Sequence, residues 1–158
     1  MGKLFDKTLE VIASLNRERV DYVVIGAVAL SVHGLVRSTE DLDIFVRPEA
    51  TNIEALRRAL RAVWNDPDID SITAEDLCGD YPAIRYGPPD DSLPLDILTR
   101  LGDFATYDDL EIEIVNIEGV DIRVASPKTL HWLKAGTVRP QDRADARVLK
   151  EAFGFDEE

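Results

Sequence analysis

Apolar positions change their period from one segment of the chain to the next. Over residues 4–18 they fall at Phe5, Leu9, Ile12 and Leu15, with Leu4 and Val11 beside them, which is the spacing of a helix with one buried stripe. Tyr22 to Ile25 is a short apolar, β-branched run that ends at Gly26, and it predicts a buried strand followed by a turn. Val28 to His33 then predicts a short helix closed by Gly34. Leu42 to Val46 predicts a second strand. Pro48 opens a further helix, whose stripe is Ile53, Leu56, Leu60, Val63 and Trp64.

The following stretch, Asn65 to Pro82, is acidic and shows no period, and it is expected to be irregular. Ala83 to Tyr86 and Leu93 to Leu98 predict two more strands around the turn at 87–91. Glu111 to Ile117 and Val120 to Val124 flank Glu118-Gly119, the pattern of a β-hairpin. Ser126-Pro127 reads as an N-cap and first helical residue, with the helix reaching Ala135; a last helix is expected from about Pro140 to Phe153. The order predicts an α/β (α+β) protein with one mixed sheet flanked by helices. No linker interrupts it, so residues 1–158 are expected to form a single domain.

Composition adds bounds. Hydrophobic residues make up 45% of 158 residues, enough for a real core. No apolar run approaches the roughly 18 residues of a membrane span, and the N-terminus lacks the apolar stretch of a secretory signal. The cytoplasm is the expected location, with no membrane partner. Cys78 is the single cysteine, which excludes an intrachain disulfide and a cysteine-based zinc site. The net charge of -13 argues against a protein that coats nucleic acid, since phosphate binding draws on Lys and Arg, but it leaves room for a local basic groove.

The candidate chemistry lies where polar residues interrupt these apolar strands. Residues two apart in a strand share a face, so Asp41 and Asp43 aim together while Leu42 and Ile44 enter the core. Two carboxylates side by side repel, and a divalent cation with a preference for hard oxygen ligands, Mg²⁺ above all, relieves that repulsion. Leu95-Asp96-Ile97 repeats the pattern, and Asp96 can join the pair if its strand is a neighbour. Three carboxylates around two ions suit nucleotidyl transfer. A glycine at position 26 lets backbone N–H groups approach a triphosphate, and the N-terminus of the next helix favours anions.

The stretch Val24 to Val46, Gly26-Ala27 followed by Asp41-Leu42-Asp43-Ile44, resembles the signature of the nucleotidyltransferase superfamily with the DNA polymerase β-like fold. More narrowly it is similar to the AbiEii-like branch of abortive-infection and toxin–antitoxin proteins. The C-terminal pattern supports that branch: Lys134 on a helix, then Arg139, Asp142 and Asp145 at spacing Arg-x-x-Asp-x-x-Asp. The likeness runs from about residue 20 to 150. It implies Asp41, Asp43 and Asp96 as catalytic acids and ligands of Mg²⁺ (or Mn²⁺), with Asp96 also the general base. It further implies Gly26 and Ala27 at the triphosphate of an NTP substrate, Lys134 at a phosphate, and Asp142 and Asp145 ordering the ligands around them. Ala27 stands where the superfamily usually has Gly or Ser, so one hydroxyl bond to phosphate is missing. Arg37 either contacts phosphate or pairs with Glu40. Arg139, Arg143 and Arg147 recur every four residues, as a solvated face or as a guide for RNA.

The resemblance implies transfer of a nucleoside monophosphate to an acceptor hydroxyl, on RNA such as a tRNA end or on a small molecule of the antibiotic kind, with an antitoxin-like protein as a partner. A degenerate, non-catalytic binding module is the alternative that Ala27 favours and the three acids oppose. An Asp-x-Asp glycosyltransferase is disfavoured, because the chain has no room for a second nucleotide-binding half. His33 and His131 read as structural, and Cys78 carries no expected role.

Overall fold

The structure, a computed structural model, describes residues 3–35, 41–101, 105–135 and 152–153. The first helix, α1 (Lys3–Arg17), buries Leu9, Val11, Ile12 and Leu15, the stripe its period predicts. Strand β1 (Tyr22–Ile25) runs directly into α2 (Gly26–Val32), two residues earlier than the sequence reading placed the helix. Gly26 takes φ +70, and that backbone state replaces the turn expected before Val28. Strand β2 (Leu42–Val46) follows, then α3 (Ala50–Val63). Pro48 stands outside α3 because Glu49, the N-cap, is extended.

The acidic stretch is more ordered than its lack of period implied. Asp66 caps a 3-10 turn over Pro67–Ser71, and Thr73 caps the one-turn helix α4 (Ala74–Leu77) by accepting from the Asp76 N–H. Strand β3 (Ala83–Tyr86) and strand β4 (Leu95–Leu98) pair antiparallel. Two-residue strands β5 (Arg100–Leu101) and β6 (Ala105–Thr106) make a separate small ribbon that the sequence reading lacked. Strands β7 (Ile112–Ile117) and β8 (Val120–Ala125) form the expected hairpin, with Glu118 at φ 51 and Gly119 at φ 85 in its tight turn. The last fully described element is α5 (Pro127–Ala135), where Ser126 Oγ accepts from the Thr129 N–H as N-cap. The helix expected from Pro140 falls outside the described residues, save Ala152 and Phe153.

The main sheet has the order β3-β4-β2-β1-β8-β7. It is mixed: β1 pairs β2 antiparallel and β8 parallel, while β2 pairs β4 parallel. The central strands are covered on both faces. Tyr22, Val23 and Val24 of β1 and Leu42, Ile44, Phe45 and Val46 of β2 are all fully buried, although alternate residues point in opposite directions. Helix α1 packs on α3, where Ser14 Oγ donates to the Ala59 carbonyl at 2.7 Å between small side chains. Helix α2 lies against β1 and β2 and touches α5. No helix among the described residues is long and apolar enough to cross a membrane.

Candidate active site

The apolar flanks of β2 and β4 fix the register of the acids. Burying Leu42 and Ile44 on one strand and Leu95 and Ile97 on the next forces the strands to align residue for residue, and Asp43 then stands opposite Asp96. The Leu42 N–H donates to the Pro94 carbonyl at 3.0 Å, which carries the alignment to the start of both strands. Asp41 immediately precedes β2. All three acids are half-buried at the edge of the core. The condition set by the sequence, that the two acidic strands be neighbours, is met.

Gly26 closes one side of this cluster. Ile25 is registered against Asp43 across β1 and β2, so the chain turns into α2 beside that carboxylate. A Cβ at position 26 would overlap Asp43 Oδ2 and come within 3.0 Å of its Cγ. Glycine is therefore required twice, by φ +70 and by the close approach of the acid. Ala27 is half-buried in the first turn of α2.

The other side is closed by a residue that sequence reasoning missed. Arg85 of β3 is paired across the strands with Asp96. Its Nη1 donates to both Asp96 oxygens, at 3.1 and 3.0 Å, and to Asp41 Oδ2 at 3.2 Å; Nη2 donates to Asp41 Oδ1 at 3.2 Å. One guanidinium thus spans two of the three acids. The hydrogen bond to Asp41, then the charges of Asp96 and Asp41, hold its proton even more firmly than usual. A signal was present in the sequence: Arg85 is the one charged residue in the run Ala83–Tyr86, and a hairpin-like pairing with 95–98 sets it against the one acid there.

The donor set suits a hard divalent cation, with three carboxylates, two of them in register on adjacent strands. A positive charge already lies between Asp41 and Asp96, as an ion there would require. Among the described residues, no group of three acids, histidines or cysteines is gathered into an ion-binding cluster. Arg37 and Asp142 lie outside the described residues, as do Asp145, Arg139, Arg143, Arg147 and the side chain of Lys134. His33 bonds the Ala125 carbonyl at 2.8 Å and meets the Phe153 ring edge-on, so it ties α2 to the end of β8. Cys78 is exposed.

No curated protein matches the chain by sequence. The structure of ANT(2")-Ia in complex with adenylyl-2"-tobramycin aligns with a TM-score of 0.55 at 15% identity, covering 95% of this chain and 90% of that one. A protein of Thermotoga maritima assigned as a nucleotidyltransferase aligns with a TM-score of 0.47 at 17% identity, covering 91% and 88%. The first of these likenesses supports a nucleotidyltransferase-like fold. The family described as nucleotidyl transferase AbiEii toxin of type IV toxin–antitoxin systems matches residues 8–148, nearly the whole chain. By that match, the chain belongs to the AbiEii family of nucleotidyltransferases.

Proposed function

We propose that the protein transfers a nucleoside monophosphate from an NTP to an acceptor hydroxyl in a reaction that depends on Mg²⁺ or Mn²⁺, with Asp41, Asp43 and Asp96 as the metal ligands. The observation that carries this reading is the register of Asp43 against Asp96, with Asp41 tied to Asp96 through a shared cationic partner. When bound, the metal would polarise the phosphoryl oxygens and neutralise the charge that develops on pyrophosphate. Asp96 takes the proton of the acceptor hydroxyl. The acceptor oxygen bonds the α-phosphorus, the α–β bridging P–O bond breaks, and pyrophosphate leaves.

The backbone at Gly26 and Ala27 borders Asp43 and is assigned to the triphosphate. Without a hydroxyl at position 27, that contact rests on N–H donors alone. On the family pattern Lys134 is assigned to a nucleotide phosphate and Asp142 to ordering the groups around the nucleotide; Arg37, just before the acidic motif, is assigned to phosphate by its position. The acceptor we favour is an RNA 3′ hydroxyl, in keeping with a toxin family, and a small antitoxin protein is the partner that setting calls for. The charge of -13 favours a second acceptor, a cationic small molecule, and ANT(2")-Ia with its adenylylated tobramycin offers the precedent on a similar fold.

Calorimetric titration of each of the four NTPs with Mg²⁺ tests the reading, with wild type compared with Asp41→Asn/Asp43→Asn. Metal-dependent binding lost in the double variant is the expected result, together with a fall in turnover on the order of 10³-fold. Folded wild-type protein that binds no NTP with or without Mg²⁺ would overturn the stand-alone enzyme.

A further inference from the structure

Arg85 lies against the acids that the proposed reaction needs free. All four carboxylate oxygens of Asp41 and Asp96 accept hydrogen bonds from its two terminal nitrogens. Those are the oxygens with which the two residues would bind an ion. Its position is not accidental to the fold: the β3–β4 register sets its Cα opposite that of Asp96, and its strand neighbour Tyr86 is buried, so Arg85 is carried to the acidic side of the strand.

We infer that Arg85 is a built-in counter-ion, standing in the cation's place between Asp41 and Asp96 and displaced when the divalent metal binds. The inference rests on the metal reading of the three acids. Several features make the guanidinium replaceable. It is 56% exposed, and β3 is an edge strand of the sheet, so the side chain has solvent to move into. The two acids are each 35% exposed, and ion pairs this open to water are weak. A divalent ion brings twice the charge and binds oxygens directly, which favours exchange. Until then the guanidinium keeps two like-charged side chains together without strain. The metal-free protein therefore keeps an ordered acid cluster, and metal binding has to overcome the bridge.

The test is direct Mn²⁺ binding, followed by the paramagnetic resonance of free Mn²⁺, in the full chain without nucleotide. The proteins compared are wild type, Arg85→Gln, Arg85→Lys, Arg85→Gln/Asp96→Asn and Asp41→Asn/Asp43→Asn. Removing a unit charge next to the ion is expected to tighten Mn²⁺ binding by roughly tenfold in Arg85→Gln. Arg85→Lys should fall between, because one ammonium cannot fork across two carboxylates. Asp96→Asn should abolish the gain. Arg85 is exposed, so these variants should fold, and a thermal melt checks that they do. Unchanged or weaker Mn²⁺ binding in Arg85→Gln, with binding still lost in Asp41→Asn/Asp43→Asn, would overturn the counter-ion role and leave the metal site intact. Absence of Mn²⁺ binding in both wild type and Arg85→Gln would overturn both.

Discussion

The two ends of strand β2 each carry an arginine bonded to two aspartates, and they differ in everything else. At the end where β2 begins, Arg85 spans Asp41 and Asp96, and its terminal nitrogens meet carboxylates alone among the bonds described. Just past the other end, Arg47 bonds Asp21 and Asp108, both at 3.1 Å, while its guanidinium lies over the Tyr107 ring at 4.5 Å. Beneath it, the buried side chain of Asn52 accepts from the Asp21 N–H at 2.7 Å and donates to the Asp21 and Arg47 carbonyls, both at 3.0 Å. Backbone, ring and amide all fix the second cluster, so Arg47 would stay in place without its ion pairs. Charge is the main hold on the first. A cluster held chiefly by charge can exchange its cation, and a cluster locked by packing cannot. On the function proposed above, that contrast separates the reactive end of the strand from the structural end.

Gly26→Ala should break the reactive end most severely. The added methyl would overlap the Asp43 carboxylate, and φ +70 is strained for alanine. Stability is expected to fall by about 1–3 kcal/mol. Asp43 would have to swing aside, and a misplacement of that size should lower turnover per folded molecule on the order of 10²-fold. Chemical denaturation and single-turnover rates measure the two effects separately. A variant with native turnover would show that the position of Asp43 does not matter to the chemistry.

Asn52→Ala is the matching break at the structural end. It removes three hydrogen bonds and leaves the half-buried Asp21 N–H without that acceptor, for a loss of about 2–3 kcal/mol. Turnover per folded molecule should not change, since the cluster lies at the far end of β2 from Asp43. A denaturant midpoint that moves while the folded enzyme keeps its rate supports the division; a matching fall in rate would show that the two ends are coupled.

Much of this was legible from residue patterns, and the failures have physical causes. Strands β1, β2 and β3 and helix α5 are bounded where apolar runs meet a charged residue, glycine, proline or a capping serine, so their ends agree with the reading. The alignment of Asp43 with Asp96 was readable as a condition, because each acid sits between core residues. Arg85 was not read: its partner lies across a strand pair, and pairing is a property of the sheet rather than of the local run. The turns at Pro67–Ser71 and Ala74–Leu77 went unread because helices this short have no apolar period, and their caps Asp66 and Thr73 went unread with them. Strands β5 and β6 have two residues each, too few to alternate.

Tyr22 offers the smallest and finest test of the structural end. It pairs with Val46 across β1 and β2, and its hydroxyl donates to Asn16 Oδ1 at 2.7 Å. Burial, opposed in part by the Arg123 backbone N–H and charge, pushes that hydroxyl from 10.0 up to about 12. The unfolded chain ionises near 10.0, so above that pH it releases a proton that the native protein keeps until about 12. Stability is whole below 10.0 and declines through this window, by about 2 kcal/mol at its upper end. Tyr22→Phe should cost about 1 kcal/mol at neutral pH, from the lost bond to Asn16, and should then lose less than wild type as pH rises. Tyr86 is raised as well, by burial first and then by its bond to Asp66, so part of the slope will remain. Denaturant titrations at several alkaline pH values measure the difference. Parallel curves for the two proteins would mean that Tyr22 ionises as readily in the native state as in the unfolded one, and that this end of the sheet admits water.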